Sequence, residues 1–179
     1  MIKTFKIICV LLLFSAHNLL AQEAFFPIVK GFGGIYEIPE ATELPDPSSE
    51  IKIIIDLVSA AEDPTEINFM VNNIARMINL HGLGGIPHEN IHVKVAVHGG
   101  AIFSLLEHKS YKALYGVDNP NLAVYDALKA AGVEIYVCGQ SLIARNIEIQ
   151  DIWDGSEIAL SMLTTLTKYI PEGYILLRF

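Results

Sequence analysis

The stretch "IKIIIDLV", from Ile51 to Val58, constrains the fold most. It is a nearly continuous β-branched run, which marks a strand buried on both faces and hence a parallel sheet. Parallel neighbours cannot be joined by a hairpin and need a crossover, usually a helix. The chain supplies such crossovers. "DPTE" predicts a helix start, with Asp63 as N-cap, Pro64 in the first position and Glu66 three residues after the cap. Ile67, Met70, Val71, Ile74, Met77 and Ile78 follow at helical spacing, and Gly82 is the expected stop. "IHVKVAVHGG" reads as a second strand, with a helix expected over Ile102 to His108. "NPNLAVYDALKAAG" repeats the punctuation: Asn119 caps, Pro120 opens, Leu122, Tyr125 and Leu128 form a face, and Gly132 stops it. "VEIYVC" is a third strand, "SEIALSM" a fourth, "LTTLTKYI" a helix and "GYILLRF" a last strand. This alternation predicts an α/β domain, a parallel sheet with helices on both faces and right-handed crossovers.

The first fifty residues differ. "MIKTFKIICVLLLFSAHNLLAQ" has Lys3 and Lys6, an apolar run from Ile7 to Phe14, and a more polar end at Ala21. That is the layout of a secretory signal peptide over residues 1–21, implying a periplasmic or secreted protein, with an uncleaved anchor as the alternative. The apolar run falls short of the roughly 20 residues that span a bilayer. No second segment reads as transmembrane, so no membrane association is expected after cleavage. Residues 22–50 form a lead-in rich in Pro and Gly. It reads either as a disordered tail or as a docked arm in which "GGIYEIP" adds a short edge strand. The domain proper is residues 51–179. The formal charge of −8 becomes more negative without the leader lysines. Nucleic-acid binding rests on a basic footprint, so that class is excluded, as is docking on anionic lipid.

In parallel α/β sheets, ligands sit beyond the carboxyl ends of the strands. Three stretches are expected there: Asp56 to Ser59, "HGGA" from His98, and "CGQS" from Cys138. Cys138 is the sharpest candidate, because it is the one thiol left once the leader holding Cys9 is removed. A cysteine between a strand and a helix faces free backbone N–H groups, which favour the thiolate. Arg145 adds positive potential if it folds back. Gly139 gives the turn freedom and keeps bulk away, while Gln140 and Ser141 offer hydrogen bonds. The other reading of the same residue is a small apolar filler. His98 reads as a base or proton donor, or as a histidine bonded to a loop. Gly99 and Gly100 permit close approach, either of a ligand or of a neighbouring element. Asp56 needs partners inside its apolar run.

Other motifs fail. "GLGGIP" precedes a strand, whereas a dinucleotide fingerprint follows one. No phosphate loop or G-x-S-x-G elbow is present. His88 and His92 flank the start of a strand and lack helical ligand spacing, so no metal is expected. No C-x-x-C exists, which excludes dithiol chemistry within one chain. No cofactor is implied.

"VAVHGGAI", "NPNLAVYDALKAAGVEIYVCGQSLIARNI" and "GYILLRF" resemble the DsrE/DsrF-like family, over about residues 51–179. The lead-in "GGIYEIPEATELPDPSSE" is similar to that of its exported branch, described as intracellular sulfur oxidation proteins. The resemblance implies a three-layer α/β fold with a mostly parallel five-stranded sheet, wound as in flavodoxin and assembled as a homotrimer or homohexamer. It also implies a sulfur carrier that holds a persulfide on the cysteine after the third strand, which is Cys138 here. Small sulfur compounds or a partner protein's thiol would be its partners. The relay members of the family are cytoplasmic, however, and an exported chain meets an oxidising compartment without their partners. The alternative is a non-catalytic oligomeric module that binds a small ligand or a protein through its rim, with Cys138 structural or redox-sensing. Thiol–disulfide sensing between subunits is a third reading.

Overall fold

The structure is a computed structural model that describes residues 22–179; the expected leader, 1–21, lies outside the described residues. Five strands form one sheet: β1 (Ile51–Leu57), β2 (Ile91–Val97), β3 (Glu134–Cys138), β4 (Glu157–Ala159) and β5 (Ile175–Arg178). Their order is β4-β3-β2-β1-β5, and every pairing is parallel. The expected "mostly parallel" sheet is therefore wholly parallel. From β1 to β4 the chain steps steadily towards one edge, and from β4 to β5 it crosses back to the other. Right-handed crossovers place the helices of these two movements on opposite faces.

The first face carries α1 (Phe69–Leu83) and α3 (Leu122–Ala130), which pack against each other. Val71, Ile74 and Ile78 of α1 and Val124, Tyr125 and Leu128 of α3 cover Ile53, Ile55, Leu57, Val93, Val95, Val97, Ile135 and Val137. Strand side chains alternate between faces, so these odd-numbered residues share the apolar side. The even-numbered ones point the other way, beneath α5 (Met162–Tyr169), which lies across β1, β2 and β3. They are Ile54, Asp56, Lys94, Ala96, Glu134, Tyr136 and Cys138. One side of the sheet is hydrocarbon, and the other is largely polar.

Several local expectations are corrected. Helix α1 does not begin at the Asp63 box. Asp63 Oδ1 accepts from the Thr65 N–H and hydroxyl and closes a turn. The helix starts at Asn68, whose side chain caps Met70 N and is tied to Ser59 O, while its own N–H donates to Asn121 Oδ1. A cap anchored by two other bonds prevails over a local box on the surface. Gly82 lies inside the helix, and the C-cap is Gly84. In place of one helix over 102–108 there is a 3₁₀ segment at Gly99–Leu105 and then α2 (His108–Tyr115). Asn119 is not the next N-cap: that position is Asn121, and α3 begins after Pro120, while Asn119 Oδ1 accepts from Asn121 N and braces the turn that leads in.

The lead-in is docked. Val29 and Ile35 are buried, and Asn79 of α1, itself buried, holds the arm. Its Oδ1 accepts from the N–H groups of Ile28 and Val29, and its Nδ2 donates to the carbonyls of Val29, Phe32 and Gly33. Gly33 has φ +62°, and a Cβ there would meet the backbone N of Arg76 at 2.1 Å, so no other residue fits. "GGIYEIP" does not extend the sheet; Ile35 bridges Phe25 in an isolated antiparallel pair. Among the described residues no helix is long and apolar enough to cross a membrane.

Candidate functional site

The carboxyl ends of the strands carry Asp56, His98 and Cys138, as the rim argument requires. His98 follows β2 in extended conformation, so it keeps the strand's alternation and lies on the α5 side. Its Nε2 sits 2.5 Å from Asp56 Oδ1, and Arg178 Nε lies 3.5 Å from the other Asp56 oxygen. Asp56 thus has the partners its burial demands. The ring is drawn towards β1, away from β3. Gly99 and Gly100 approach the loop after β1: added Cβ atoms would meet Val58 Cγ2 at 2.7 Å and Ala60 Cβ at 3.1 Å. Their smallness serves loop packing at this point.

Cys138 ends β3 and is the N-cap of α4 (Gly139–Ala144). It is only 4 % exposed. The thiol does not lie open at the rim: the turn between β4 and α5 covers it. The cover is polar. Sγ lies 4.0 Å from Ser161 Oγ. Burial acts to raise the thiol pKa, but the Ser141 hydroxyl, the Met162 and Ser141 N–H groups and the Ser161 hydroxyl outweigh it, and the net shift is downward. Both hydroxyls have an acceptor side already occupied: Ser161 Oγ receives Leu163 N–H at 3.2 Å, and Ser141 Oγ receives Gly99 N–H at 3.4 Å. A serine hydroxyl has one hydrogen and two acceptor lone pairs, so Ser161 Oγ accepts from the thiol S–H and can turn its own hydrogen to the sulfur once Cys138 is a thiolate. A thiol packed as an apolar filler would have hydrocarbon in these places. Cys138 is the free cysteine among the described residues.

The expected surroundings hold in part. Arg145 is exposed at the C-terminal end of the six-residue α4, about 9 Å of helix from the thiol end, and does not fold back. Gln140 is exposed and lines a groove of about 570 Å³ together with Ile143, Ile149, Ile158 and Leu160. That groove adjoins Gly139, but the thiol does not line it. Gly139 is needed for packing rather than for access to sulfur: its Cβ would sit 3.0 Å from Ala159 O. His88 bonds Ala131 O, and His92 pairs with Glu50. Among the described residues no group of three or more His, Cys, Asp or Glu side chains is placed to hold a metal ion.

Ser161 and Met162 were missed from sequence. They stand 23 residues beyond Cys138 and reach it because β4 pairs with β3, with Cys138 opposite Ala159. The available signal was Ser161 itself, a capping residue before "MLTTL". Once β4 neighbours β3, that cap must fall at the thiol.

A model of the DsrE/DsrF-like family matches residues 52–179, and the chain belongs to that family. No curated protein matches the sequence. Two solved structures share the fold. One is a protein of unknown function, MTH1491, from Methanobacterium thermoautotrophicum, at 15% identity and TM-score 0.52, covering 72% of this chain and 99% of that one. The other is the ychN protein from E. coli, at 19% identity and TM-score 0.51, covering 72% and 100%.

Proposed function

We propose that this DsrE/DsrF-like protein is a sulfur carrier in which Cys138 holds a persulfide, and that it works outside the cytoplasm. One observation carries the reading: the thiol of the domain sits among the Ser141 and Met162 N–H groups and the Ser141 and Ser161 hydroxyls, which favour the anion enough to outweigh burial. In the loading step the thiolate attacks the outer sulfur of a donor. With thiosulfate, Cys–S⁻ and S–SO₃²⁻ give Cys–S–S⁻ and sulfite. The S–S bond of the donor breaks as the new one forms, and its electron pair leaves on sulfite. The outer sulfur then passes to an acceptor thiolate, and Cys138 is regenerated. One cysteine suffices, because the outer sulfur is itself the cargo. Since the Ser161–Met162 turn covers the thiol, loading requires that turn to move aside. His98, oriented by Asp56 on the neighbouring strand, is the group assigned to proton exchange at the rim. Small sulfur compounds or a partner thiol are the partners, and a trimer or hexamer is the proposed assembly.

Cyanide-releasable sulfur tests this reading. Wild type incubated with thiosulfate or polysulfide should release thiocyanate on cyanolysis, and Cys138→Ser should not. A wild type that acquires no such sulfur from either donor refutes the carrier role. The 4 % exposure of Cys138 favours a second reading, a non-catalytic binding module with a structural or redox-sensing cysteine. A thiol that stays closed to alkylation until the protein unfolds decides for the second.

A further inference from the structure

Helix α5 covers the thiol with its first turn, yet little hydrocarbon holds it to the sheet. Of its eight residues Thr165 and Tyr169 are buried, while Leu163 is 67% exposed. Tyr169, in the last turn, enters a cluster on the polar side of the sheet. Lys94, a buried lysine in the middle of β2, lies 4.4 Å from the Tyr169 ring centroid, 5.3 Å from that of Tyr174 and 5.9 Å from that of Tyr136. Its ammonium pairs with Glu134. Tyr136 OH donates to Glu134 and lies 3.0 Å from Tyr169 OH, which also receives Lys168 Nζ at 3.2 Å. A lysine ammonium is costly to bury without partners. Here one carboxylate and three aromatic faces supply them, two of those faces on or just after α5. Burial alone would pull the Lys94 pKa down, but Glu134 and the phenol oxygens outweigh it and raise it.

We propose that Lys94 and Tyr169 are positioning residues for Cys138. Their cage pins the last turn of α5 to the sheet and so holds the Ser161–Met162 turn, at the other end of the same helix, against the sulfur. The helix is about 12 Å long, short enough to act as one rigid lever. With its far end released, nothing buried except Thr165 fixes the angle of the first turn. The proposal rests on the carrier reading of Cys138, but its geometry can be tested without any sulfur donor.

The test is the pH profile of Cys138 alkylation in native protein, for wild type, Lys94→Met, Lys94→Arg and Tyr169→Leu. Lys94→Met removes the ammonium but keeps an apolar stem. Tyr169→Leu loosens the same cage with no change of charge. Both should move the alkylation midpoint to higher pH. The rate at pH 7, relative to its own high-pH plateau, should fall about tenfold, the size of one charge-assisted hydrogen bond lost from the thiolate. Lys94→Arg, which retains the cation over the rings, should keep the wild-type midpoint. Two folded variants with lowered melting temperature and unmoved midpoints would overturn the proposal, leaving a purely structural cage. A shift in Lys94→Met with none in Tyr169→Leu would overturn it too, since charge alone would then explain the effect. If wild type fails to load sulfur while both midpoints move, the carrier reading falls and the positioning role stands.

Discussion

Replacing Asn79 with alanine should release the arm and leave the sheet folded. The Asn79 side chain serves two N–H groups and three carbonyls of residues 28–33. An arm that stayed docked would lose a partner at all five groups. Three of these contacts, to Val29 N, Val29 O and Gly33 O, are buried; at about 1–3 kcal/mol for each buried group left unsatisfied, the penalty is roughly 3–9 kcal/mol. Burial of Val29 and Ile35, the two buried apolar anchors of the arm, contributes about 3–6 kcal/mol in favour of docking. The penalty matches or exceeds the gain, so lifting the arm off is the expected response. The loss of stability is then capped near the docking energy. Amide hydrogen exchange reads this directly: Ile28 and Val29 should lose protection in Asn79→Ala while Val93 and Val95 in β2 keep theirs. Trypsin cleavage after Lys30 should quicken in parallel. Undiminished protection at Ile28 and Val29 would refute the reasoning. So would loss of protection at β2 to the same degree, because the arm and sheet would then be one cooperative unit.

Ser141→Ala should raise the alkylation midpoint of Cys138 by removing one donor to the thiolate, without touching the cap of α5; an unmoved midpoint would show that the hydroxyl does not act on the sulfur. Glu134 gives a pH dependence of stability. Burial acts to raise its pKa, but the hydrogen bonds from Lys94 and Tyr136 outweigh it, so the folded-state value lies below the unfolded one. Its contribution is therefore present above the unfolded value and is lost as pH falls through the folded value. Urea midpoints measured from pH 7 down to pH 3 should fall more steeply in wild type than in Glu134→Gln, which has no carboxylate there to protonate; equal slopes would refute this assignment.

The strands were legible because their residue types leave little choice. "IKIIIDLV" and "VEIYVC" are short β-branched runs bounded by turn residues, and they lie in the sheet within a residue or two of the expected positions. The meeting of Asp56 and His98 at one rim also followed from the parallel sheet. The start of α1 was not legible, since Asn68 is made a cap by Asn121, more than fifty residues away. Docking of the arm hinged on two α1 side chains, Asn79 and Asn72, which read as ordinary polar positions in an amphipathic helix. The cover over Cys138 was hidden for a topological reason: strand order, rather than sequence spacing, brings Ser161 to it.

That cover also has a consequence in time. The sulfur belongs to the third strand, whereas its lid is spelled out later, after the fourth. A nascent or refolding chain therefore presents a naked thiol until its final helix settles. Oxidants and other copies of the chain have that interval in which to reach it. Dimers linked through Cys138 should accordingly arise from slow maturation, and a reductant supplied only during refolding should prevent them.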